Sequence, residues 1–302
     1  MAAQLRALRS RIRSVKSTAK ITRAQELIAA ARISTAQQRV AAAKPYSRQL
    51  TQAVSALVSH HVGIDHPLLN ENPDASRAAV LLMTGDRGFC GAYNHNVLRQ
   101  ADLLGASLRE SGCEPVFYVC GRRGVDYFRF RDREMAGQWT GQSGQPTYAL
   151  AEEIGRTLVE AFRMPTAEGG IGGVHVIYTE FVSMISQRMT TLRILPLEIE
   201  EVSAAEVGAA GVFPAYEFEP APVDVLDGLL HQYVRGRIWH LLLESAAAEW
   251  AARRSAMMSA TDNANELIGK LTQQMNEARQ AQITVELSEI VAGADALADR
   301  SG

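Results

Sequence analysis

The sequence predicts an α/β protein: a Rossmann-like α/β domain with a mainly parallel sheet, from which the two ends of the chain extend as one long antiparallel coiled coil. Three observations carry this expectation. Residues 1 to about 58 contain no glycine, one proline (Pro45) and one acid (Glu26). From Val223 to about Leu297 there is no proline at all. Between these ends, from about 76 to 215, short apolar runs alternate with turn-rich and helical stretches.

The first segment places Leu5, Leu8, Ile12, Val15 and Ala19 in a rhythm that repeats every seven residues. Such a stripe covers one side of a helix and needs a partner stripe. The last segment supplies one, with Ala260, Ala264, Leu267, Leu271, Gln274, Ala278, Ala281 and Val285 stepping in the same way. Its alanines let two helix axes approach closely. At 1.5 Å per residue the two segments would reach roughly 80 and 110 Å, longer than a compact domain of this mass. The chain therefore divides into shaft helices 1–58 and 222–297 and a globular domain 76–215.

In the middle, Ala78–Met83 reads as a strand that runs into the turn-rich TGDRGFCGAYN, followed by a helix over Asn94–Glu110. Pro115–Cys120 is a second strand, Tyr148–Phe162 a helix, Val174–Tyr178 a third strand and Arg188–Pro196 an added one. Strand and helix in alternation imply a parallel sheet. The segment Ala167–Gly173 holds four glycines (Gly169, Gly170, Gly172 and Gly173), with Glu168 as its sole charge. It reads as a mobile surface loop.

Composition excludes several classes. A net charge of -2 argues against a dedicated nucleic-acid binder. The longest apolar run, Leu226–Leu243, is interrupted by His231, Arg235, Arg237 and His240, and falls short of a membrane helix. Three cysteines without a CxxC read as reduced thiols in a cytosolic compartment. No spacing of His, Cys or carboxylates suggests a metal, and no nucleophile–base set can be assembled. TGDRGFCG follows a strand and opens a helix, where phosphate loops sit, yet it fits neither GxGxxG nor GxxxxGK[ST]. A tight structural turn is the simpler reading, and no cofactor is implied. The basic first thirty residues also fit a transit peptide or a lipid-binding helix. The heptad rhythm continuing past any cleavage point weighs against the first, and the missing Trp and Phe against the second.

Three strings are specific. Ser14–Ala30 reads SVKSTAKITRAQELIAA, Thr84–Gly91 reads TGDRGFCG, and Ala278–Ala294 reads ARQAQITVELSEIVAGA. With Lys44, Pro45, Tyr46, His66, Pro67 and the ATDN at Ala260–Asn263, they closely resemble the gamma-subunit family of bacterial F-type ATP synthases over essentially the whole chain. The resemblance implies a non-catalytic, central rotating shaft that couples a proton-driven membrane ring to conformational cycling of the catalytic subunits and regulates ATPase activity and proton flow. Its implied partners are the alpha and beta subunits of the catalytic hexamer, the epsilon subunit and the c-subunit ring, with one copy per complex. Its implied location is peripheral, on the cytoplasmic side of a bacterial cell membrane. The resemblance also nominates Arg279, Gln280, Thr284 and Gln25 for contact with the catalytic subunits. Gln25 stands where many members carry methionine, and Ser259 where they carry lysine. Relative to shorter members the glycine-rich segment looks like an insertion, a candidate regulatory loop. Two readings remain beside this one: a nucleotide-binding α/β enzyme with helical arms, and a coiled-coil scaffold that does not rotate.

Overall fold

The computed structural model describes residues 2–60, 66–70, 72, 75–197 and 222–298. The stretch 198–215 assigned to the globular domain lies outside the described residues. Two compact units are present, one of residues 29–253 and one formed by residues 1–28 with 254–302. The boundary between them falls inside the two longest elements, α1 (Ala2–His60) and α5 (Pro222–Ala298).

The larger unit is built on a five-stranded sheet. Its elements are β1 (Arg77–Met83), α2 (Tyr93–Glu110), β2 (Glu114–Cys120), α3 (Arg122–Phe130), β3 (Gly137–Trp139), α4 (Tyr148–Arg163), β4 (Gly173–Phe181) and β5 (Gln187–Leu195). The strand order is β3-β2-β1-β4-β5. The first four strands are mutually parallel, and β5 pairs antiparallel with β4. This is a Rossmann-like order in the mainly parallel sheet the alternation implies, with the added strand on one edge. The alternating pleat divides β1 between two cores. Ala79, Leu81 and Met83 join Ile154, Leu158, Leu230, Val234 and Ile238 of α4 and α5 on one face. Val80 and Leu82 join Val97, Ala101, Val125 and Phe128 of α2 and α3 on the other.

Helix α1 within this unit buries Ala29, Ile33, Ala36, Leu50 and Val54, the same heptad stripe read from the first twenty residues. Helix α5 behaves differently there. From Leu241 to Arg253 almost every residue is buried or half-buried, including Ser245, Glu249 and Arg253. A helix covered on all sides has no polar face left, which explains its run of alanines at Ala246, Ala247, Ala248 and Ala251.

The smaller unit is a helix pair. Leu5, Ile12, Ala19, Thr22 and Glu26 are buried on α1, and Met257, Ala264 and Leu271 on α5. The hydroxyls of Thr22 and Thr261 meet at 2.7 Å. With the helices antiparallel, that contact sets Ala19 level with Ala264 and Ile12 level with Leu271, all four buried. The seam on α5 differs from the one read in the sequence. Ala260, Ala264, Leu271 and Ala278 face inward, but Leu267, Gln274, Ala281 and Val285 are exposed, and Ile268, Met275 and Gln282 take their places. In this register the start of α1 at Ala2 is level with Ala281, so α5 continues beyond its partner.

The glycine-rich segment corrects the expectation of a mobile surface loop. It begins as a 3-10 turn, Thr166–Glu168, and Gly169 follows in the left-handed region at φ 94°. The Arg77 guanidinium donates to the Gly169 carbonyl at 2.7 Å, Ile171 N–H to Ala161 O at 3.2 Å and Gly172 N–H to Arg77 O at 2.8 Å. Gly170 and Gly173 are buried, and Ile171 is part of the core. A Cβ on Gly170 would lie 1.9 Å from the Met164 carbonyl oxygen, and one on Gly172 would lie 2.4 Å from Ala75 Cβ. The glycines permit backbone to pack on backbone; freedom of movement is not what they supply. Only the Ala167–Glu168 tip is exposed.

Candidate partner interface and the filled sheet crevice

In an open parallel sheet of this order, ligands bind beyond the carboxyl ends of the strands, beside β1 and β4. Here that crevice is occupied by the chain itself. Phe181, the last residue of β4, donates its N–H to Glu244 at 3.1 Å. The Tyr93 hydroxyl meets the Ser245 hydroxyl at 2.7 Å. Gly85, just after β1, is so close to α5 that an added Cβ would lie 3.0 Å from the Glu249 carboxyl carbon. Glu249 and Arg253 form an ion pair at 2.6 Å, with their side chains only 3% and 5% exposed. Arg253 also donates to the Arg87 and Gly88 carbonyls at 3.4 Å.

The TGDRGFCG turn is structural in detail. Asp86 accepts from the N–H groups of Arg122 at 3.0 Å, Gly141 at 2.8 Å and Ser143 at 2.8 Å. Arg122 opens helix α3, so the anion that a helix amino terminus attracts is supplied by the chain's own carboxylate. Partial burial pushes the Asp86 carboxyl up, the N–H donors push it down, and the donors win: its pKa lies below the ordinary value. Thr84 donates to the Cys120 carbonyl at 2.9 Å and accepts from Gly124 N–H at 3.0 Å. Gly121 has φ 102°, and a Cβ there would lie 2.0 Å from the Thr84 carbonyl oxygen. The cysteines are free thiols; Cys90 and Cys120 are buried, and burial raises Cys120 to about 12. His66 has its Nδ1 accepting from Leu68 N–H at 3.1 Å and its Nε2 at 3.2 Å from Asp227, tying down a turn under the core.

The nominated contact residues lie in the helix pair. Arg279, Gln280 and Thr284 are all exposed on α5, near or past the start of α1. Thr284 donates its hydroxyl to the Gln280 carbonyl one turn earlier, at 3.0 Å, which leaves its oxygen free to accept. Ile283, Val285, Leu287, Ile290 and Val291 of the same stretch are exposed as well. Gln25 is exposed on α1 and sits near the level of Ser259. In the register set by Thr22 and Thr261, about 30 Å of helix separates it from Arg279. The four residues therefore do not form one site. Arg279, Gln280 and Thr284 share one end of the pair, and Gln25 lies with Ser259 at another level.

Glu249 and Arg253 were not singled out in the sequence. The available signal was an opposite-charge pair four residues apart, set among alanines on every side, where a solvated pair would have polar neighbours.

Residues 4–297 match the family described as ATP synthase. The chain is 54% identical over 297 residues to the ATP synthase gamma chain of Acidothermus cellulolyticus, covering 98% of each. The chain belongs to the ATP synthase gamma chain family. A second gamma chain, from Thermobifida fusca, is 53% identical over 302 residues, covering 100% of this chain and 99% of the relative. Among solved structures, a chain of the Euglena gracilis mitochondrial ATP synthase rotor aligns with TM-score 0.64 at 14% identity, covering 94% of this chain and all of that one. One from the Tetrahymena thermophila mitochondrial ATP synthase central stalk and c-ring aligns with TM-score 0.57 at 18% identity, covering 80% and 99%. At these identities the likeness establishes the gamma-chain fold: a helix pair and a mixed, mainly parallel sheet.

Proposed function

We propose that this chain is the central rotating shaft of a proton-translocating F-type ATP synthase, a non-catalytic subunit that couples rotation of a membrane ring to conformational cycling of the catalytic subunits. Its partners on this reading are the alpha and beta subunits, the epsilon subunit and the c-ring, with one copy per complex. It lies peripherally on the cytoplasmic side of the bacterial membrane; among the described residues no helix is long and apolar enough to cross one.

The observation that supports this reading most is the end of α5. An apolar face from Ile283 to Val291 stands exposed beside Arg279, Gln280 and Thr284, past the level where α1 begins. A collar of larger subunits would cover that face and engage the polar residues differently at each angle. Moving one catalytic site from 1:99 to 99:1 between two states takes about 5.5 kcal/mol of differential contact. The filled crevice weighs against the alternative of a nucleotide-binding enzyme, because Glu244, Ser245, Glu249 and Arg253 stand where a ligand would lie. Within the rotary reading, the exposed Glu168 tip is the part of the glycine-rich segment that meets the ring or its neighbours during rotation and modulates it. Glu168→Ala, which leaves the packed glycines alone, is its appropriate test.

The test of the main reading is the complex with Arg279→Ala and Gln280→Ala. ATP turnover is expected to fall severalfold while the complex stays assembled. Unchanged turnover and unchanged proton pumping would refute the contact, and nucleotide binding by the isolated chain would favour the enzyme.

A further inference from the structure

Helix α5 meets the sheet ends through one short stretch whose contacts are directed and polar, beyond the apolar packing that ordinarily joins a helix to a sheet. Glu244 receives the Phe181 N–H at the end of β4. Ser245 meets Tyr93 at the start of α2. Trp250 donates its indole N–H to the Gly144 carbonyl, in the loop before α4, at 2.9 Å. Arg253 reaches the Arg87 and Gly88 carbonyls after β1. At 3.6 residues per turn these positions spread over roughly two-thirds of the helix circumference. Apolar packing lets a helix turn about its own axis at modest cost. Hydrogen bonds aimed from several azimuths do not, because any rotation breaks some of them.

One further observation separates this stretch from an ordinary stabilising contact. Among the described residues, Glu249 Oε2 and Arg253 Nη1 are buried and find no hydrogen-bond partner. An incompletely satisfied buried ion pair is a poor source of stability, and an apolar pair of similar volume often does as well or better. What such a pair supplies is geometry.

We propose that Glu244–Arg253 is a torsional lock, in which Glu249 and Arg253 are positioning residues that hold α5 against rotation about its axis relative to the sheet. The inference rests on the rotary reading above: torque applied to the sheet unit enters α5 at this grip, and without it the helix slips under load.

The test uses the complete ATP synthase reconstituted in proteoliposomes, with ATP hydrolysis and proton pumping measured together and thermal unfolding measured on the same preparations. Glu249→Leu combined with Arg253→Met is expected to leave the unfolding midpoint equal or higher while the protons pumped per ATP fall severalfold, with the shortfall growing as the opposing gradient rises. A merely structural pair would lower the midpoint and leave the ratio unchanged. Pumping per ATP equal to the unsubstituted complex at every gradient overturns the lock. Should the double variant fail to assemble, Trp250→Phe keeps an aromatic side chain but removes the indole N–H that bonds Gly144, together with part of the indole surface beneath Arg253. It is expected to show the same load-dependent slip in smaller measure, and its absence overturns the lock equally. If the unsubstituted chain supports no ATP-driven pumping at all, the rotary reading falls first and the lock with it.

Discussion

Helix α5 passes through two environments, and they ask different things of the same secondary structure. Among residues 254–282 it buries a narrow stripe, Met257, Ala264, Ile268 and Leu271, against a single partner helix, and its other faces meet solvent. Among residues 241–253 it is enclosed and makes directed hydrogen bonds to four separate places in the sheet unit: the end of β4, the start of α2, the loop before α4 and the turn after β1. The first arrangement needs only a repeating apolar pattern and tolerates substitution on its outer faces. The second needs particular atoms at particular azimuths. A heptad is enough to pair two helices, but fixing a helix to a sheet requires a set of partners scattered along the chain.

The comparison is most severely tested at the sheet unit. Gly121→Ala drives a methyl into the Thr84 carbonyl oxygen at a position already at φ 102°. Because that obstacle is backbone, the substitution is expected to cost at least about 4 kcal/mol. The measurement is thermal unfolding, and a loss under about 1 kcal/mol would mean that the turn relaxes and is no rigid anchor.

An intermediate effect is expected at Asp86. Replacing Asp86 with Asn exchanges a carboxylate that accepts three N–H bonds for an amide that cannot accept them all, at a cost of about 2 kcal/mol near neutral pH. The folded pKa lies below the ordinary 3.8. Its stabilisation is therefore complete above 3.8 and is lost as pH falls through the lower folded value. The gap between variant and parent is accordingly expected to close in strong acid. A gap that persists unchanged below that range would show that charge is not what the three donors hold.

The smallest effect sharpens the comparison in the helix pair. Ile268→Ala is expected to cost about 1.5 kcal/mol of local stability, and Leu267→Ala less than about 0.5, read as hydrogen exchange of residues 254–282. The reverse order would restore the seam suggested by the sequence.

That seam shows where legibility ended. Leu267 and Ile268, and likewise Gln274 and Met275, are neighbours, so the spacing alone admits two phases a residue apart. The partner helix decides between them, and Thr22 opposite Thr261 fixes the choice. Four of the strands and the mainly parallel sheet were legible because short apolar runs alternate with helical ones; the strand order came from the structure. The nine-residue α3, opening on Arg-Arg-Gly, and the three-residue β3 were not, since neither carries enough periodicity to register. The glycine-rich segment was misread for another reason. A glycine that gives freedom and a glycine that permits close approach look the same in a sequence, and only the Met164 carbonyl and Ala75 beside Gly170 and Gly172 tell them apart. Arg279, Gln280 and Thr284 were nominated by resemblance and are exposed, whereas Glu249 and Arg253 required knowing what surrounds α5.

The overhang of α5 has a mechanical corollary. Over residues 254–281 any bend must deform two helices at once, whereas beyond Ala281, among the described residues, roughly 25 Å of α5 lies past the level of Ala2 and carries the strain alone. Compliance in the helix pair is therefore concentrated at its tip. A free tip of that kind would dissipate an applied moment, so it can act as an axle end only when surrounding protein serves as a bearing. The exposed apolar side chains from Ile283 to Val291 are what such a bearing would run on.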